Sequence, residues 1–193
     1  MEFSTKDLTF EFQELDPSAR LRELILHIAN SSIDDPRFSK VKLAKLLYLA
    51  DTESFRRFGK PISGSKYIKW PFGPVPDDYN NVLAHMEQEH AIGIRKVPYY
   101  SQEQHRVFAL IEPELNKFFS ANDIRLVDDI IHQYWNMNAT EISDYSHNLL
   151  GWKVAEINEP IPYESSLLSD EPLSADEIAE LQELAKIYGD ARG

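Results

Sequence analysis

The chain contains no cysteine, and only seven of its 193 residues are glycine. Without thiols it can supply no thiolate nucleophile, no cysteine-ligated zinc and no iron–sulfur cluster. The glycines Gly59, Gly64 and Gly73 match neither GxGxxG nor a Walker A loop, so nothing is spaced to cradle phosphate. HExxH, HxH, EF-hand and GxSxG patterns are missing too, as are internal repeats and low-complexity tracts. No apolar stretch approaches the roughly 18 residues needed to span a bilayer, and no Ala-x-Ala signal segment precedes the first helix, so a soluble protein of a reducing cytoplasm is expected.

Acidic charge, by contrast, is abundant. Twenty Lys and Arg face 32 Asp and Glu, for a net charge of −12. The excess lies wholly in the second half: residues 1–96 carry 14 cations and 14 anions, residues 97–193 carry 6 and 18. Within the first half, residues 37–69 hold nine cations against Asp51 and Glu53. Such a stretch can meet phosphate, an acidic partner or the chain's own acidic tail. Interleaved with Tyr48, Phe55, Phe58, Tyr67 and Trp70, it makes a small DNA-binding regulator the alternative reading, against which the overall negative charge works.

Hydrophobic spacing predicts a mainly α fold: a compact helical domain over 16–155 with a small β-hairpin, flanked by an N-terminal strand or arm over 1–15 and, beyond a linker over 156–173, an appended acidic helix over 174–193. Residues 8–12 alternate with period 2. Asp16-Pro17 opens a first helix with Leu21, Leu24, Ile25 and Ile28 on one face. Ser39 caps a second, whose apolar residues lie on several sides, and Gly59 ends it. Residues 60–76, rich in Pro and Gly, read as a stiff loop. Pro76, with Asp77 and Asp78, opens a third helix. Residues 92–94 and 106–111 form the hairpin, and a ribbon after three helices suits a winged-helix-like arrangement. A helix from Asn122 or Asp123 follows. Asn138-Ala139-Thr140-Glu141 is a capping box for another that carries Ile142, Tyr145 and Leu149 and stops at Gly151. In the acidic tail, Ile178, Leu181, Leu184 and Tyr188 make an apolar stripe.

Little in this pattern supports catalysis. His85 and His90 lie about 140° apart on a helix and cannot share an ion. Asp128 with His132 and His85 with Glu89 share faces, as surface pairs often do. Asp144 and His147, at i and i+3, could orient an imidazole, but packing explains such a histidine equally well.

Two stretches go beyond generic patterning. The first is Lys42-Leu43-Ala44-Lys45-Leu46-Leu47-Tyr48-Leu49-Ala50-Asp51, followed by Gly59-Lys60-Pro61-Ile62-Ser63-Gly64, Tyr67, Trp70-Pro71-Phe72-Gly73-Pro74-Val75 and Tyr79. The second is Glu141-Ile142-Ser143-Asp144-Tyr145-Ser146-His147 with Trp152. In order and spacing they resemble the SocA-like antitoxin domain, or Panacea domain. The resemblance implies a mostly helical bacterial or phage protein that neutralises a cognate toxin by binding it in a type II toxin–antitoxin system. It implies no reaction, so no catalytic residue, metal or cofactor is expected, and association into a homo-oligomer stays open. From the resemblance, the residues expected to bind toxin or to form the family motif are Lys42, Lys45, Tyr48, Asp51, Tyr67, Trp70, Gly73, Pro74, Val75, Tyr79, His147 and Trp152. A rigid Gly73-Pro74-Val75 ledge flanked by Trp70 and Tyr79 would anchor a partner at low entropic cost, and the alternative is that Trp70, Val75 and Trp152 cover the core.

Overall fold

The computed structural model describes residues 8–99 and 102–168. The acidic helix expected over 174–193, and residues 1–7 of the arm, lie outside the described residues.

Helix α1 (Pro17–Ser31) starts where Asp16, at φ 51°, accepts a hydrogen bond from Ala19 N, with proline in the first turn. Its apolar face, with Leu21, Leu24, Ile25 and Ile28, is buried as the spacing predicts. Helix α2 (Lys40–Phe58) is capped by the Ser39 hydroxyl on Lys42 N and ended by Gly59 at φ 70°. It is about 28 Å long at 1.5 Å per residue and is the axis of the domain. Helices α1, α5 (Ala121–Gln133) and α6 (Ala139–His147) pack around it, which is why apolar residues occur on more than one of its faces.

The 60–76 segment corrects the loop expectation. Tyr67–Trp70 forms strand β1 and Gly73–Pro76 forms β2, joined by Pro71-Phe72. Pro76 therefore ends a strand rather than opening a helix, and α3 spans Tyr79–Gln88 after Asp78. Proline is tolerated in β2 because that strand lies at the edge of a three-stranded antiparallel sheet of order β2-β1-β5, β5 being Pro160–Ile161.

Strands β3 (Ile92–Tyr99) and β4 (Gln102–Ala109) form the expected hairpin, longer than its apolar residues suggested, and pack against α3, α1 and α2. The ribbon thus lies beside the helices as a winged-helix-like arrangement would place it; the second sheet is the addition. A short helix, α4 (Leu115–Phe118), leads to α5, whose start at Ala121 follows a Ser120–Asp123 capping box. The predicted box at Asn138 caps α6. Gly151 does not end α6: that helix stops at His147, and Gly151 lies buried inside α7 (Leu150–Val154). Tyr145 is exposed; Ser143 and Ser146 take the buried face with Ile142, because α6 packs closely on β2 and α2.

As far as residue 168, the segment expected to be a linker is not one. Pro160–Ile161 is strand β5, paired with β1, and Tyr163–Leu167 is a 3-10 turn on α2. Tyr163 enters a second cluster with Tyr48, Phe55 and Tyr67, which gives this proline-rich stretch a reason to fold back. Residues 8–12 form no strand and lie along the domain: Phe12 N donates to Gly64 O, Tyr163 N to Thr9 O, and Phe12 meets Phe55 and Tyr163 edge-on.

A ledge at the sheet edge as candidate functional site

The motif residues divide into those that hold the fold and those that reach the surface. Lys42 and Asp35 are each 1 % exposed and pair at 2.7 Å. The Lys42 ammonium also donates to the carbonyls of Trp135 and Met137, so all three of its protons are used within the protein. It ties α2 to the turns before it and after α5.

Asp51 is fully buried. Its carboxylate accepts from Ser63 N at 2.6 Å, from the Ser63 hydroxyl and from the Tyr67 hydroxyl at 2.7 Å. Burial raises its pKa and these hydrogen bonds oppose the rise. Tyr67 stacks edge-on against Tyr48 at 5.1 Å, and burial pushes both phenols upward. Tyr48, Asp51 and Tyr67 therefore sit in the interior beneath the sheet. Tyr79 is buried as well, donating to Lys40 O.

The two motif stretches converge at the Pro71-Phe72 turn. Gly73 has φ 99°, and a Cβ there would overlap Ser146 Oγ and lie 2.5 Å from Lys45 Cε. Only glycine lets the turn seat on α2 and α6 together. The His147 ring stacks on Trp152 with centroids 4.0 Å apart. The Trp152 indole N–H donates to Trp70 O at 3.1 Å, while Lys69 lies over the Trp152 ring and donates to Ala155 O. The Ser-His…Trp signature is thus a clamp under the ledge. His147 Nε2 is buried without a hydrogen-bond partner among the described residues, and burial lowers the ring's pKa, assisted by Lys45 and Lys69 and opposed by Asp144. Among the described residues Asp144 makes no hydrogen bond to it, and no group of three His, Asp or Glu comes together to hold a metal ion.

Above the clamp, Trp70 is 39 % and Phe72 70 % exposed. With Val41, Val75 and the flank of Tyr79 they border a cavity of about 350 Å³ between α2, β2 and α3, with Lys45 in its wall. Phe72 was not singled out from sequence; its place at the tip of a two-residue turn is what exposes it. The edge itself is closed to strand pairing. Asp77 N donates to Lys66 O, which places the hydrogen-bonded pairs of the ladder at 68/75 and 70/73 and turns positions 74 and 76 outward. Both are proline, so the edge offers no N–H, and the Pro74 carbonyl already accepts from Lys45 at 3.1 Å.

The cationic stretch 37–69 disperses on folding. Lys42 and Lys45 are interior, Arg56 and Arg57 pair with Glu53, Lys66 pairs with Asp77, and Lys69 is committed under the ledge. Elsewhere, Asp128 takes His27 of α1 at 2.9 Å, and the exposed His85 approaches Glu89 at 3.7 Å.

Fold and site together define a small, mainly helical domain that presents a proline-stiffened hairpin held from below. The model of one family, the SocA-like antitoxin, Panacea domain, matches residues 43–153, and the chain belongs to that family. The match runs from α2 through the ledge to the Trp152 clamp. No curated protein and no solved structure matches. Among the described residues no helix is long and apolar enough to cross a membrane.

Proposed function

We propose that this chain neutralises a cognate toxin by direct association in the cytoplasm, as the antitoxin of a type II pair, with no catalytic step of its own. The observation that carries the reading is the ledge: the first family motif, held from below by the second, builds one apolar surface with Trp70 and Phe72 exposed and Val75 half-buried beside them. A surface whose backbone is already fixed loses little entropy on binding, and exposed aromatics over a pocket are what interface hot spots are made of. With Tyr48, Asp51, Tyr67 and Lys42 interior, the contact surface is narrower than the motif. The proline edge directs the partner to side-chain docking rather than strand addition. DNA binding has weaker support, since most cations of 37–69 are engaged within the protein.

The test is co-expression with the product of the neighbouring toxic reading frame. Growth rescue with co-purification is expected, and Trp70→Ala with Phe72→Ala should remove both. Arrest of growth with both proteins well expressed would overturn the proposal.

A further inference from the structure

Among the described residues, Lys45 is a buried amine without a counterion. Its side chain is 1 % exposed, its one described hydrogen bond goes to the Pro74 carbonyl, and no carboxylate of the described residues lies within ion-pairing distance. An ammonium has three donors, and interior ammonium groups are ordinarily matched, as Lys42 is by Asp35 and two carbonyls. Lys45 lines the cavity under the ledge. The acids on the rim are committed elsewhere, Asp77 to Lys66 and Asp78 to Asn81.

We propose that this cavity receives an aspartate or glutamate side chain carried beside an apolar residue on a protein partner, the carboxylate pairing with Lys45 Nζ and its neighbour lying against Trp70 and Val75. The proposal rests on the antitoxin reading and specifies the chemistry that the ledge would recognise. A chain-terminal carboxylate fits less well, because such groups are captured by clusters of backbone N–H donors and Pro74 and Pro76 have none. Charge adds support: Lys40 lies on the same wall, and Asp77 on the rim is paired with Lys66.

Protonation supplies a second signature. Burial lowers Lys45 to about 7, so a carboxylate ligand draws a proton onto the amine above that pH. The other titratable groups around it are Lys40 on α2, Lys69 on β1, Asp77 and Asp78 before α3, Tyr79 on α3, and Asp144 and His147 on α6. Affinity for an acid should therefore fall as pH rises from 7 to 9, while affinity for an amide should not.

The experiment titrates acetyl-Phe-Asp-amide and acetyl-Phe-Asn-amide into the full chain and follows the Trp70 indole resonance, assigned with Trp70→Phe. The acid should bind roughly fivefold or more tightly at pH 6.5, a gap a single ion pair readily gives. That preference should shrink by pH 9 and vanish in Lys45→Met. Equal binding, no binding, or an acid preference kept in Lys45→Met overturns the proposal. So does a Trp70 shift with protein concentration alone, which assigns the cavity to a second copy, or a carbodiimide cross-link from Lys45 to residues 169–193, which assigns it to the chain's own acidic segment. If Lys45→Met does not fold, the wild-type pH series decides. The peptides need no toxin, so failed co-purification with an intact acid preference would remove the antitoxin reading alone.

Discussion

The indole N–H of Trp152 donates to the carbonyl of Trp70 at 3.1 Å, joining the last residue of the second motif to the strand before the ledge across 82 positions of sequence. The spacing of the motifs thus encodes a contact, with His147 stacked behind the indole as its backing.

Removing that contact should loosen the ledge without unfolding the domain. Trp152→Phe keeps the stacking and loses one hydrogen bond, so we expect a stability loss of about 1 kcal/mol in denaturant titration. Under the proposed function, affinity for the toxin should fall further than stability does, because the hairpin would no longer be held in place.

Gly73→Ala tests the seat of the hairpin. The new methyl group meets Ser146 and Lys45, and alanine at φ 99° is strained whatever the space. A loss of about 2 kcal/mol or more is expected. Gly59→Ala, which has the same sign of φ but nothing within 4 Å, should lose less. Equal losses would show that strain rather than packing governs position 73.

Breaking the interior ion pair should be costly from either side. Asp35→Ala or Lys42→Met should each destabilise by about 3–5 kcal/mol, since each leaves a buried charge unmatched. The double variant should recover only part, because the carbonyls of Trp135 and Met137 still lose their donor. Full recovery would deny those carbonyls a role.

Stability should rise with pH from about 7 to 9. Lys45 titrates near 7 in the fold and at its ordinary value, near 10.5, once unfolded, so between the two the unfolded chain binds the extra proton. The slope should approach about 1.4 kcal/mol per pH unit and be lost in Lys45→Met. Above pH 10 the trend should reverse, because Tyr67, Tyr79 and Tyr163 are held neutral by burial while the unfolded phenols ionise. Chemical denaturation at pH 7, 8, 9 and 10.5 would check both signs.

The local signals were legible. The Asp16, Ser39 and Asn138 starts, the Gly59 stop and the stripe of α1 depend on side chains within a few residues of one another, and helix propensity and capping act at that range. Strands β1, β2 and β5 were not legible: β2 has two prolines in four residues and no pattern of its own, and the two-residue β5 exists only through β1, some 90 residues away. The same holds for 160–167, whose prolines look like a linker until Tyr163 meets Tyr48 and Tyr67.

By itself the sequence determined the mainly helical class, the helix limits set by caps and glycine, the absence of thiol chemistry and the family, because these follow from short-range periodicity and from residue identities in order. Only the tertiary structure decided which motif residues face outward. Lys42, Lys45, Tyr48 and Asp51 share one helix and one motif, yet Lys42 is matched within the protein, Asp51 is held by Ser63 and Tyr67, and Lys45 stands beside a cavity with no counterion among the described residues. That division depends on which element packs over each turn of α2, and burial and pairing are properties of the packed chain that no single segment contains.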